Sequence, residues 1–115
     1  MLKVDRCDTG KVTILRLSGD IDEYGIGLLR SQFMSCMREN RSHIVVNMCG
    51  VQFISYMGVG VLVERLRQCR NNQGDMKLVG INLYAERLFR TVGVTKLFQT
   101  FESENQALHA YQDAA

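Results

Sequence analysis

The chain is predicted to be an α/β protein: a mixed β-sheet of about five strands with about four α-helices packed on it. Three observations carry this prediction. Short β-like segments alternate with longer segments of helical periodicity, in the order β-β-α-β-α-β-α-β-α. HIVVNM (43–48) is a continuous apolar run, the pattern of a strand covered on both faces. Val59, Leu62, Val63 and Leu66 recur at i, i+3, i+4 and i+7, the stripe of a helix with one face on a core. Strands separated by whole helices need parallel crossovers, so only the first two, adjacent in sequence, are expected to pair antiparallel.

LKVDRC (2–7) and VTILRLSG (12–19) flank an Asp8-Thr9-Gly10 turn and read as a hairpin. DIDEYG then leads into a helix from about Gly25 to Asn40, with Ile26, Leu29, Phe33 and Met37 at helical spacing. After the 43–48 strand, a second helix is expected from about Met57 to Asn71, stopped by the polar loop Asn71-Asn72-Gln73-Gly74. MKLVGI (76–81) is the next strand. A third helix from about Tyr84 carries Ala85, Leu88, Phe89 and Val92 on one face and ends at Gly93. KLFQTF (96–101) reads as the last strand, and Ser103, with an acid just inside, caps a terminal helix over SENQALHAYQ.

The 115 residues, 46% hydrophobic and 23% charged, are expected to form a single globular domain spanning 1–115. A formal charge of +2, with arginines scattered as Arg38, Arg41, Arg65, Arg67, Arg70, Arg87 and Arg90, gives no nucleic-acid footprint. No apolar run approaches the roughly 20 residues of a membrane span, and MLKVDRCD has no signal-peptide core, so a cytoplasmic protein is expected. Cys7, Cys36, Cys49 and Cys69 form no C-x-x-C pair and read as small buried hydrophobes in a reducing compartment. His43 and His109 stand alone, so neither a metal site nor a cofactor is expected.

The junction VQFISYMGVGVL (51–62) holds the candidate site. Gly58-Val59-Gly60 lacks the third glycine of a dinucleotide fingerprint and no P-loop lysine follows; Gly25-Ile26-Gly27 fails in the same way. Ser55 reads as an N-cap. Two glycines in one helical turn each cost about 1 kcal/mol relative to alanine, so a neighbouring strand or another protein is expected to approach there. Gly58, Val61, Glu64, Arg65 and Gln68 are expected on the side away from the core stripe, as a shallow docking groove. Asp20, Asp22 and Glu23 lie beside this corner if both loops open at one sheet edge. Carboxylates near a hydroxyl without a His, Lys or Cys base do not make a hydrolase. No enzyme activity is expected.

Four stretches together resemble the STAS domains of bacterial anti-sigma factor antagonists (anti-anti-sigma factors) over nearly the whole chain. LSGDID (17–22) is similar to the family's L-x-G-E-L-D. HIVVNMCGVQFI (43–54) is similar to its strand and following loop, and GVGVL (58–62) to its G-L-G-V-L. GDMKLVGINLYAERLFRTVGVTKLF (74–98) is similar to its G-G-x-x-x-x-x-x-I-S-P-x-V-x-R-L-F-x-x-x-G-L-x-x-x-F/I. The resemblance implies a STAS-type fold and a partner that is both a histidine-kinase-like ATPase acting as a serine kinase and an anti-sigma factor. In the family the tip reads D-S-S-G or D-S-T-G, and phosphate on the serine after the aspartate ends binding, as charge at a neutral interface does. Aligning the glycines puts Ser55 at the aspartate and Tyr56 at the phosphoserine; Asp22 keeps its counterpart.

The residues expected to bind a partner are Ser55, Tyr56, Met57 and Gly58 at the tip, Asp22 and Tyr24 on the adjoining loop, and Val61 and Arg65 on the exposed helix side, with Tyr56 and Met57 as an apolar hot spot. A tyrosine packed over its own sheet edge is the alternative. Three roles are open: an antagonist without the serine switch; a STAS module serving as scaffold in a sensory complex or as subunit of a transport system; or a protein modified at Ser55. Self-association or pairing with other STAS chains is a further possible contact; direct contact with membrane is not expected.

Overall fold

The computed structural model describes residues 1–113, apart from the side chain of Asp113. Its elements are β1 (Lys3–Thr9), β2 (Val12–Ser18), α1 (Ile26–Arg38), β3 (His43–Gly50), α2 (Tyr56–Asn71), β4 (Asp75–Val79), α3 (Leu83–Thr91), β5 (Gln99–Phe101) and α4 (Glu104–Asp113), with a 3-10 turn at Thr95–Leu97. One five-stranded sheet runs in the order β1-β2-β3-β4-β5. β1 and β2 are antiparallel and the remaining neighbours parallel, as the crossover lengths require.

Alternation along the strands divides the core. Leu15, Leu17, Ile44, Val46, Met48, Met76 and Leu78 point to the face shared with α1, α2 and α3. Ile14, Val45 and Val79 point to the other face, where Ala107 of α4 packs. Ile44, Val45 and Val46 are therefore apolar in succession because both faces of β3 are covered. Lys77, a charge inside β4, lies under α4 with its ammonium 3.1 Å from Asp75, bonded to Gln99 and 4.5 Å from the centre of the Tyr111 ring.

α4 is fastened by a polar clamp. Glu104 accepts from Arg16 Nε (2.8 Å) and Nη2 (2.9 Å) and from Asn47 Nδ2 (2.7 Å). The Arg16 guanidinium, and then the Asn47 amide, hold the Glu104 carboxyl below the usual carboxylate range against the opposing pull of burial. A lowered folded-state pKa stabilises above the unfolded value of about 4.3 and ceases to stabilise as pH falls through the folded value. Glu104→Gln is therefore expected to melt a few degrees below wild type at pH 7. Its deficit should shrink as pH is lowered to about 3; melting curves across that range check this, and a deficit independent of pH would refute the clamp.

Three expectations are corrected. The last strand begins at Gln99 rather than Lys96: residues 95–97 form the 3-10 turn, and Phe98 drops into the core against Phe89 with ring centres 5.4 Å apart. Val92 is exposed because α3 ends at Thr91 and Gly93, at φ +78°, turns the chain away. Cys36 and Cys69 are buried as expected, and burial pushes the Cys69 thiol up to about 12; Cys49, however, is exposed at the end of β3 and Cys7 is half-buried.

Candidate functional site: a three-loop corner

The loops following β2, β3 and β4 meet at the carboxyl edge of the parallel strands, the edge where open α/β sheets place their sites. Ile21 and Ile54 form an isolated parallel bridge. Around it, Ile21 N donates to Phe53 O (2.9 Å), Ser55 N to Ile21 O (2.9 Å) and Gly19 N to Gly50 O (3.0 Å). The third loop is tied in by Asn82, whose side-chain amide donates to the carbonyls of Val51 (3.3 Å) and Gln52 (3.2 Å). Ile21, Val51 and Ile54 are buried beneath these bonds, so the corner is a solid extension of the core.

The side chains expected at the site divide into fixed and free. Ser55 is the N-cap of α2: its hydroxyl accepts from Gly58 N at 3.0 Å. Replacing it with alanine should cost about 1 kcal/mol in urea unfolding, the usual worth of such a cap; an unchanged midpoint would contradict that role. Asp22 is also held, its carboxylate accepting from Tyr24 N and Gly25 N at 3.0 Å each, where it closes the turn into α1. Asp20, Asp22 and Glu23 do share the corner, through the Ile21–Ile54 bridge.

Tyr56 and Met57 are free. They occupy the first turn of α2 and are 64% and 60% exposed, so Tyr56 is not folded back over its own sheet edge. Tyr24 is also exposed; with Met1, Leu2 and Leu28 it borders a cavity of about 410 Å³ beside Asp22.

The expected groove along α2 does not exist. Val61 is 1% exposed and Gly58 is buried; neither looks outward. Arg65 is also largely enclosed, its Nη1 donating to Gln68 Oε1 (2.8 Å) and its Nε 3.6 Å from the Glu64 carboxylate. The physical reason is that α1 packs along the flank of α2, which is thus covered both by the sheet and by its neighbour. Of the residues expected in the groove, Glu64 alone is exposed; beyond the first turn of this helix it is joined on the surface by Gly60, Arg67, Arg70 and Asn71.

The tight approach at Gly58 comes from within the chain. A Cβ there would lie 2.8 Å from both Ile21 Cγ2 and Ile54 Cγ1, whereas one at Gly60 would meet nothing within 4 Å. Sequence reading missed Asn82, which caps α3 by accepting from Ala85 N (2.8 Å) while gripping the preceding loop, and Phe53, whose ring lies 5.6 Å from that of Tyr84. An asparagine just ahead of an amphipathic segment was the available signal for the cap; nothing local signals the ring pair.

A mixed sheet with three helices on one face and one on the other, ending in a capped loop–helix corner with apolar side chains turned outward, defines a small domain built to present a surface. The sequence model of the STAS domain matches residues 4–107. The chain belongs to the STAS domain family. It is 29% identical to the anti-sigma F factor antagonist of Paenibacillus polymyxa over 98 residues, 84% of each chain. Its fold is that of an anti-sigma factor antagonist from Mycobacterium paratuberculosis (TM-score 0.85, 19% identity, 96% and 93% of the two chains). It is equally that of the anti-sigma factor antagonist SpoIIAA in its unphosphorylated form (TM-score 0.84, 17% identity, 96% and 97%).

Proposed function

We propose that the protein is an anti-sigma factor antagonist that binds a kinase-type anti-sigma factor through the three-loop corner, without catalysis and without the family's serine switch. Residues 1–115 act as a single STAS domain in the bacterial cytoplasm. The observation that carries this reading is the outward display of Tyr56 and Met57 on a rigidly capped helix start. Two large apolar side chains held in water at a fixed corner have their use in a partner's pocket. Asp22 and Ser55 shape the corner from behind, and Tyr24 extends it. Val61, Arg65 and Gly58 support it from inside rather than touching the partner.

Two observations support the absence of a switch: the STAS resemblance aligns Tyr56 with the family's phosphoserine, and the neighbouring hydroxyl of Ser55 is engaged as a cap in a half-buried position. No described helix is long and apolar enough to cross a membrane. The altered tip also fits a STAS module working outside sigma control, in a sensory complex or a transport system, with other STAS chains as contacts.

Purified kinase-type anti-sigma factors of the same bacterium, each titrated with this protein by calorimetry and then incubated with it and labelled ATP, test the reading. One of them should bind, and no label should enter the chain. Label that disappears in Ser55→Ala would overturn the switch-free mechanism. Failure of every such ATPase to bind would overturn the antagonist assignment.

A further inference from the structure

The corner carries a second apolar element that the STAS resemblance does not assign. Leu83 and Tyr84, on the first turn of α3, are 67% and 47% exposed, and the Tyr84 ring packs at a 33° tilt against that of the partly exposed Phe53. They belong to no core: α3 buries Ala85, Leu88 and Phe89 instead. Asn82 locks this turn to the Val51 and Gln52 carbonyls, so it is rigidly attached to the loop that carries Phe53, three residues before Tyr56. Most of the molecule's large exposed apolar side chains therefore gather at one edge, contributed by three separate loops. Scattered apolar residues need no explanation, but a gathered set marks an interaction surface. The charge around it differs by side: exposed Glu86 and Arg87 follow Leu83 and Tyr84 one turn along α3, whereas the α1 side is acidic. Asp20 and Glu23 are exposed on the α1 loop at this same edge, and among the described residues neither is ion-paired.

We propose that Phe53, Leu83 and Tyr84 form a second docking lobe, engaged together with Tyr56–Met57 by one folded protein partner that presents an apolar ridge bordered by Lys or Arg facing the α1 loop. This rests on the antagonist reading above and takes the anti-sigma factor as that partner. The rigid tie through Asn82 makes the two lobes one preformed surface, which lowers the ordering cost of binding. The acidic loop adds steering and register rather than most of the affinity.

The test uses the full chain and the purified kinase-type anti-sigma factor that binds it. Leu83→Ser and Tyr84→Ala, both surface changes, should leave the melting temperature near wild type and weaken binding at least about tenfold each, as truncation of an interface anchor does. Raising salt from about 50 to about 300 mM should weaken wild type, and the Asp20→Asn/Glu23→Gln variant should respond less. Wild-type affinity in both α3 variants, with binding lost in Tyr56→Ala, overturns the second lobe and leaves the antagonist reading standing. Binding indifferent to both lobes overturns both. If no anti-sigma factor binds and Tyr84→Ala instead dissolves a homodimer in gel filtration, the occupant is a second copy and the proposal is wrong.

Discussion

Gly58→Ala is expected to destabilise the protein by about 1–3 kcal/mol, the usual result of forcing a methyl group into a packed core. The added carbon would sit 2.8 Å from Ile21 Cγ2 and 2.8 Å from Ile54 Cγ1, both on fully buried side chains. Neither isoleucine can swing into solvent, so the strain must pass to the backbone of the two loops. Those loops are joined by the Ile21–Ile54 bridge and the Ser55 N to Ile21 O bond, and they carry Asp22 and Tyr56. Partner affinity should therefore fall along with stability. Gly60→Ala, on the same helix two residues away, is the control. Nothing lies within 4 Å of its added methyl, so the helix gains up to about 1 kcal/mol from the better propensity and binding is retained. Urea midpoints of the two variants should move in opposite directions, and calorimetric titration should show weakened binding for Gly58→Ala only. Equal behaviour would mean that Gly58 is not the fulcrum of the corner.

The same pair of glycines shows what was legible in the sequence. That something must press against the start of α2 followed from the local cost of two glycines in one turn; that Gly58 alone is pressed, and by Ile21, depends on a contact spanning 37 positions. Element order and strand direction were readable because they are written in periodicity and crossover length, both local. Ser55 was readable as a cap for the same reason. The error at Val61 and Arg65 has a three-dimensional cause: a single apolar stripe describes a helix lying on a sheet, whereas α2 is also flanked by α1. The segment 96–101 misled because Leu97 and Phe98 mimic the apolar content of a strand while the chain coils through a 3-10 turn. The Phe53–Tyr84 step was invisible because its members lie 31 positions apart and meet only when α3 is docked.

Tyr56→Asp is expected to weaken partner binding by about 100-fold or more, roughly 3 kcal/mol, while leaving the isolated protein as stable as wild type. Two effects add at the interface: an exposed aromatic anchor is lost, and a carboxylate must be desolvated where the partner meets an apolar surface. In the free protein the substitution is benign. Position 56 is the first residue of α2 and 64% exposed, so the new charge stays in water and lies at the positive end of the helix, where an anion gains about 0.3–1 kcal/mol. Tyr56→Phe separates the ring from its hydroxyl and should retain most of the affinity. Together these variants distinguish an apolar anchor from a vestigial switch position. An anchor demands tight binding for Phe and failure for Asp, whereas a residue that has simply lost its task lets both bind within about threefold of wild type. In the anchored case the added negative charge acts at the position that the STAS resemblance aligns with a phosphorylatable serine, so one substitution tests both the anchor and the proposed loss of the switch.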